Sequence, residues 1–161
     1  MAMDMFLDLP EIPGESQKKG HEGQWDLLSY SEGVVQQGSF DIGGKGGGSG
    51  KAEFQDVSIV KYVDKATPMV FQACACGTHF DKATIYVRKA GETPLEYLKV
   101  ELEDLIVTSQ QNSGAASGDL PMESITINCA KVTKTYIEQA ETGGSGATVT
   151  AGYDIRMGEK V

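Results

Sequence analysis

The pattern of apolar and polar positions predicts a chain built mainly of β-strands around one short helix. Within residues 83–88, apolar side chains alternate with polar ones, which is typical of a strand with one buried face. Residues 52–63 are rich in β-branched and aromatic side chains, as in another strand. Between these segments, Thr67-Pro68 begins an apolar run that ends at Gly77. Proline in the first turn and glycine after the last turn delimit helices, so we predict a buried helix at about 67–77, capped by the Thr67 hydroxyl.

Five further apolar runs predict strands at residues 3–9, 24–35, 95–109, 123–138 and 147–157. The apolar parity of the two longest runs changes partway along, and in 95–109 the change at Glu103-Asp104 predicts a β-bulge. Long bent strands in a small chain favour a closed β-barrel of curved antiparallel strands, or a tightly curved sandwich. We predict one domain over residues 1–161, with residues 158–161 loose at its end.

A glycine-rich segment interrupts the strand pattern. It consists of Gly43, Gly44, Lys45, Gly46, Gly47, Gly48, Ser49 and Gly50. A phosphate-binding loop is excluded because the first glycine of the motif, six positions before the lysine, is replaced by Ser39 for Lys45 and by Lys45 for Lys51, and neither lysine is followed by Ser or Thr. Two interpretations remain open: a flexible connection between strands, or a surface loop that becomes ordered on contact with another chain.

The charge of the chain excludes several classes of partner. It has 14 basic and 23 acidic residues, a net charge of −9. Such a chain repels nucleic acid and anionic membranes, so we expect neither nucleic-acid binding nor membrane insertion. Residues 1–9 lack the basic and apolar regions of a signal peptide. The protein is therefore expected to be made in the cytoplasm.

Candidate chemistry is sparse. Cys74, Cys76 and Cys129 are expected to be three buried thiols, because an odd count does not indicate a disulfide framework. His21 and His79 are not at zinc-binding spacing, and we expect His79 to lie at a turn.

The acidic positions of the 95–109 strand, Glu101, Glu103 and Asp104, are better explained by a solvated face or a subunit contact than by acid–base catalysis. We predict no catalytic residue, no metal and no cofactor.

Several sequence blocks, in order along the chain, carry a family resemblance. They are Asp4-Met5-Phe6-Leu7, Gly14-Glu15-Ser16, His21, the loop 43–50 leading to Gln55-Asp56, 61–68 (KYVDKATP), 85–91 (IYVRKAG), Glu96-Tyr97-Leu98 and 152–156 (GYDIR). Together they resemble the Hcp family of bacterial type VI secretion systems, over nearly the whole chain.

The resemblance implies a phage-tail-tube-like β-barrel with one helix packed on it, and six copies forming a homohexameric ring. Stacked rings would form the inner tube of a contractile injection machine and would be expelled without a cleaved signal peptide. The implied partners are copies of the chain itself, effector proteins in the lumen, and the tube tip and contractile sheath components. Ser29 and Ser31 would then face the lumen, and the loop 43–50 would contact the next ring. The alternatives are a phage tail-tube subunit, or a β-barrel binding protein or enzyme.

Overall fold

The computed structural model describes residues 2–39, 48–49, 51–141 and 144–161. Within them the chain forms one helix and thirteen strands. The helix is α1 (Thr67–Cys76). The strands are β1 (Met3–Asp8), β2 (Trp25–Asp26), β3 (Ser29–Ser31), β4 (Val34–Val35), β5 (Gly38–Ser39), β6 (Gly48–Ser49), β7 (Glu53–Phe54), β8 (Val57–Tyr62), β9 (His79–Lys89), β10 (Glu96–Ser113), β11 (Met122–Gln139), β12 (Ser145–Asp154) and β13 (Glu159–Lys160).

Nine of these strands form one antiparallel sheet. Its order is β13-β12-β11-β10-β9-β1-β2, and β8 joins β11 to β3. The pairs β4–β7 and β5–β6 form two small separate sheets. A mainly β fold with one short helix is thus confirmed. The pairings of the described strands follow an open path and do not show the closed β-barrel predicted from the sequence.

The predicted strand at 24–35 is divided into β2, β3 and β4 because the chain changes its pairing partner. The backbone N–H of Leu27 donates to the carbonyl of Met5 in β1, at 3.0 Å. The next residue, Leu28, donates to Val60 in β8, at 2.8 Å. Consecutive residues therefore bond to two different strands. The prediction of one continuous strand did not anticipate this change of partner.

The parity change predicted in β10 is present, but it is not a β-bulge. Leu102 and Leu105 are both fully buried although they are three positions apart, a spacing that puts two residues on opposite faces of a regular strand. The register between β10 and β11 is the same on either side of Asp104, so no extra residue is inserted. Asp104 instead adopts a left-handed backbone conformation with φ 51°, which a short polar residue tolerates. The register shift between these strands lies further along, between Val107 and Ser109.

The buried apolar side chains form one core cluster, drawn from β1, β2, β8, β9, β10, β11 and α1. Trp25 is the largest fully buried side chain. Its indole N–H donates to the carbonyl of Ile12, at 2.8 Å, so the polar atom of the ring keeps a partner inside the core. The loop before β2 is thereby attached to the centre of the protein.

The boundaries of α1 agree with the sequence prediction. The residue before it is Ala66, and the helix ends at Gly77, which has φ 65° and supplies the left-handed conformation of a helix stop. Thr67 is the first helical residue rather than the cap, and its hydroxyl accepts a hydrogen bond at 3.1 Å from the N–H of Asp64, which precedes the helix, rather than from a helical amide. The predicted capping role of Thr67 was therefore wrong.

The prediction of a buried helix was also wrong, because α1 is buried along one face only. Its buried residues are Thr67, Val70 and Ala73, at the spacing of one helix face. Met69 and Phe71 are 50 % and 64 % exposed. At the end of the chain, β13 pairs with Tyr153 and Asp154 of β12, so the expected loose terminus is in fact tied to the sheet.

Candidate functional site

The predicted lumen residues Ser29 and Ser31 are both exposed, on β3. They line an open groove of about 530 Å³ together with Met3, Met5 and Tyr97. The structure thus brings the two serines to one accessible surface. Their orientation toward a lumen stays a prediction.

The predicted contact loop is partly outside the described residues, which include Gly48–Ser49 but not 43–47 or 50. Gly48–Ser49 pairs with Gly38–Ser39, and the neighbouring pair β4–β7 continues toward the body of the protein. We call residues 34–39, 48–49 and 51–54 the arm. A role of the loop between rings stays a prediction.

The arm is attached to the sheet at both of its ends. On the entering side, the Glu32 carboxylate lies 2.5 Å from the Lys134 ammonium group. On the returning side, Asp56 accepts hydrogen bonds from Thr108 at 2.7 Å and from Asn128 at 2.9 Å. The Gln55-Asp56 block therefore has a physical role, which is to fix the base of the arm on β10 and β11.

An apolar cleft of about 210 Å³ lies beside the base of the arm. Phe54 of the arm stacks on Tyr153 of β12, with ring centroids 5.3 Å apart. Val57, Val132 and Cys129 are part of the lining. Burial raises the pKa of the Cys129 thiol to about 11, so this cysteine stays protonated and unreactive near neutral pH.

A fully buried ion pair explains the most specific sequence block, residues 61–68. The ammonium group of Lys61 lies 2.8 Å from Glu123 of β11 and 2.7 Å from Asp64. Neither Lys61 nor Glu123 has exposed surface. The Nζ of Lys61 also donates to the carbonyl of Tyr62, at 3.2 Å.

The remaining lone pairs of Glu123 are satisfied by neutral donors. Thr67 donates its hydroxyl at 2.6 Å and Gln110 its side-chain amide at 3.0 Å. Because a buried charge is tolerated only when it is paired and hydrogen-bonded, these residues act as a unit. The unit joins β8, the start of α1, β10 and β11.

A second polar cluster is built around His21, which is 3 % exposed. Its ring stacks on Phe6 with centroids 4.3 Å apart. Nδ1 lies 2.8 Å from the side-chain oxygen of Gln24, and Nε2 lies 2.5 Å from the carboxylate of Glu96. Arg88 lies 5.0 Å from the centroid of the Phe6 ring and forms an ion pair with Asp4, at 3.4 Å.

Four separate sequence blocks therefore converge on one cluster that fastens the loop before β2 onto the sheet. Sequence analysis assigned no role to His21, and spacing along the chain could not reveal its contact with a carboxylate so distant in sequence.

The acidic positions of β10 are neutralised by neighbouring bases. Glu101 pairs with Lys82 and with Lys99, each at 3.1 Å. Partial burial acts to raise the pKa of Glu101, but the hydrogen bonds from both lysines outweigh it and lower the pKa. Glu103 pairs with Lys131 at 3.2 Å. Glu101 is thus paired across strands with Lys82 and along β10 with Lys99, and Glu103 is paired across strands with Lys131.

The three cysteines differ in burial, which corrects the expectation of three buried thiols. Cys129 is buried, Cys74 is half-buried and Cys76 is exposed, and all three are free. His79 is the first residue of β9 rather than part of a turn. Among the described residues, no group of three or more His, Cys, Asp or Glu side chains is placed to hold a metal ion. In the same part of the chain, no helix has the length and apolar character needed to cross a membrane.

The chain is similar to known proteins of one family. The family model described as "Type VI secretion system effector, Hcp" matches residues 6–136. The protein hcp1 of Pseudomonas aeruginosa is 40 % identical over 159 residues, which cover 98 % of each chain.

Solved structures show the same fold. The chain superposes on Hcp1 from Salmonella typhimurium with a TM-score of 0.84 and 32 % identity, covering 100 % of both chains. A structure described as a type six secretion system protein gives a TM-score of 0.94 at 24 % identity over 99 % of this chain and 100 % of that one. These matches define a protein of a bacterial type VI secretion system. The chain belongs to the Hcp family.

Proposed function

We propose that this chain is the subunit of a secretion tube: six copies form a ring, rings stack, and the tube is expelled with effector proteins in its lumen. The observation that carries the proposal is the match to Hcp proteins along 98 % of both chains. The partners are other copies of the chain, effectors, the tube tip and the contractile sheath. The chain itself performs no catalysis, is made in the cytoplasm and is exported by the secretion machine.

The exposure of β12 supports assembly. None of its residues is buried, and Val149 is 64 % exposed. Within the described residues, its outer edge is bonded only near its end, to β13 at Tyr153 and Asp154 and to the Val161 N–H at Gly152. A long unpaired edge without covering side chains is a template for pairing with another chain. A second copy covering it through a different surface makes a head-to-tail contact, which closes into a ring when the rotation allows.

A closed barrel is part of this proposal. The segment 25–31 bonds first to β1 and then to β8, at the consecutive residues Leu27 and Leu28. It therefore links the two ends of the path that runs from β1 through β9, β10 and β11 to β8. Ser29 and Ser31 would present small hydroxyls to the lumen. The arm, attached at its base through Glu32 and Asp56 and held by the stack of Phe54 on Tyr153, would reach the neighbouring ring.

Light scattering coupled to size exclusion tests the ring. Six chains of 17.2 kDa give about 103 kDa, since closure multiplies the protomer mass. Val149→Lys should shift the peak toward the protomer mass because a charge would be buried at the contact. Leu120→Lys is the control, since Leu120 is 60 % exposed and precedes β11 rather than lying on β12. A wild-type protein that stays a protomer at high concentration, with no rings in negative-stain images, would refute the proposal.

A phage tail-tube subunit would also form rings, so mass alone does not separate the two functions. The Hcp matches favour secretion. Export from intact cells with an assembled secretion system, and its loss when the sheath is deleted, is the distinguishing measurement.

A further inference from the structure

The inward face of β8 repeats itself where it pairs with β11. Three inward side chains of β8 stand directly opposite three of β11, and all six are buried. The pairs are Val57–Ile127, Ile59–Ile125 and Lys61–Glu123. Two of the pairs are apolar and β-branched, with similar shapes, and the third is the ion pair. The ion pair is therefore the feature that distinguishes one position along this face from the next.

The apolar residues of the two strands do not fix their alignment by themselves. A displacement of β8 by two residues along β11 keeps every side chain on its own face, because side chains alternate with a period of two. In the direction that brings Ile59 opposite Ile127, both apolar residues of β8 meet buried apolar partners again. Lys61 would then stand opposite Ile125 instead of Glu123, as a buried cation without its counter-charge. We call this alignment the displaced register.

The alignment of β8 also determines where α1 lies. Asp64, between β8 and α1, accepts a hydrogen bond from Lys61, and Thr67, the first residue of α1, donates to Glu123. The start of the helix is thus tied to the same ion pair. The displaced register would move this part of the chain by about 7 Å, the rise of two strand residues. The buried face of α1 would then lose its place on the core.

We propose that the Lys61–Glu123 pair selects one register of β8 on β11, and that this selection, rather than added stability, is its role. A buried ion pair contributes little more than apolar residues of similar size, because both charges lose their hydration, whereas separating the pair is strongly unfavourable. Replacing both residues by apolar ones should therefore leave a protein that folds but populates the displaced register beside the native one. The inference does not depend on the proposed tube function.

Two cysteine pairs that share Thr126→Cys report the register. Ser58 stands opposite Thr126 in the native register, so Ser58→Cys/Thr126→Cys can form a disulfide there. Val60 stands opposite Thr126 only in the displaced register. In the native register these two residues are diagonal neighbours about 7–8 Å apart, which is too far for a disulfide. All variants carry Cys129→Ala, because Cys129 also lies on β11.

Each variant is refolded from urea in a glutathione redox buffer, and tandem mass spectrometry of tryptic peptides identifies the disulfide. With the ion pair intact, we expect the Ser58→Cys/Thr126→Cys disulfide alone. In Lys61→Met/Glu123→Leu, the yield of the Val60→Cys/Thr126→Cys disulfide should rise about tenfold, because apolar side chains fit both registers. Gly14→Ala is the control, because it destabilises the fold through another contact and keeps the pair.

Three results would overturn the inference. In the first, Lys61→Met/Glu123→Leu folds and forms only the disulfide of the native register. In the second, this variant does not fold, as judged by far-ultraviolet circular dichroism, and the pair is then needed for stability. In the third, the disulfide of the displaced register increases equally in Gly14→Ala, so that lowered stability alone explains it.

Discussion

The ammonium group of Lys61 lies 2.8 Å from the carboxylate of Glu123, and neither side chain has exposed surface. Lys61 lies near the end of β8 and faces Glu123 near the start of β11, so the contact fastens two strands that are distant in sequence. Asp64, in the turn before α1, and Thr67, the first residue of α1, complete it. The block at residues 61–68 is thus explained by a buried ionic cluster that positions the helix on the sheet.

Removing the cation from this cluster should strongly destabilise the fold. Lys61→Met leaves Glu123 buried without its counter-charge, and we expect a loss of about 3–5 kcal/mol in the free energy of unfolding. Urea denaturation followed by tryptophan fluorescence measures it.

Lys65→Met is the matched control, because Lys65 is exposed in the same block and should change stability by less than about 0.5 kcal/mol. The double variant Lys61→Met/Glu123→Leu should be more stable than Lys61→Met, since the uncompensated carboxylate is gone. Equal stability of the two single lysine variants would contradict this account.

The close approach of Gly14 to β2 makes a second prediction. A Cβ added at Gly14 would lie 2.5 Å from the carbonyl oxygen of Gln24 and 2.8 Å from the Trp25 ring. Gly14→Ala should therefore cost about 1–3 kcal/mol through overpacking. Gly38→Ala, where no atom of the described residues lies within 4 Å of the added Cβ, should be nearly neutral. Thermal unfolding of both variants measures the difference. A neutral Gly14→Ala would mean that the loop before β2 shifts without cost.

The buried thiol of Cys129 predicts an alkaline loss of stability. Its pKa is raised from 9.0 to about 11 in the folded state by burial, so the unfolded chain releases the proton first as pH rises. The stabilising contribution is complete below pH 9 and is lost as the pH rises toward 11, by an amount on the order of 2 kcal/mol. Comparing the unfolding free energies of the wild type and Cys129→Ala between pH 8 and 11 isolates this effect from other titrating groups. A difference that stays constant over this range would exclude it.

The stack of Phe54 on Tyr153 should hold the arm against the sheet. Phe54→Ala should raise amide hydrogen exchange at Val35 and Glu53 about tenfold. Opening of the β4–β7 pair costs less free energy in this variant, because the aromatic stack that opening would break is already absent. Exchange in β10 and β11 should change far less. Phe71→Ala provides the control, since Phe71 is exposed on α1. Unchanged exchange in the arm after Phe54→Ala would show that Glu32 and Asp56 alone hold it.

Local signals predicted the elements of this fold well. Proline and glycine placed both ends of α1, and alternation placed β1, β9 and β10 to within a few residues. These features succeed because they depend on backbone conformations and side-chain periods within a few residues. The prediction of one strand at 24–35 was wrong because the division into β2, β3 and β4 depends on which strand lies alongside, and local sequence patterns do not specify that neighbour.

The sequence by itself determined that this protein is a mainly β member of the Hcp family, with its helix at 67–76, because repeated local patterns and ordered blocks suffice for that. The tertiary structure alone decided that His21 meets Glu96, that Lys61 meets Glu123, and that Ser29 and Met3 line the same open groove. The physical reason is that each of these contacts joins residues far apart along the chain. Their proximity depends on the strand order and register of the whole sheet, which no local pattern specifies.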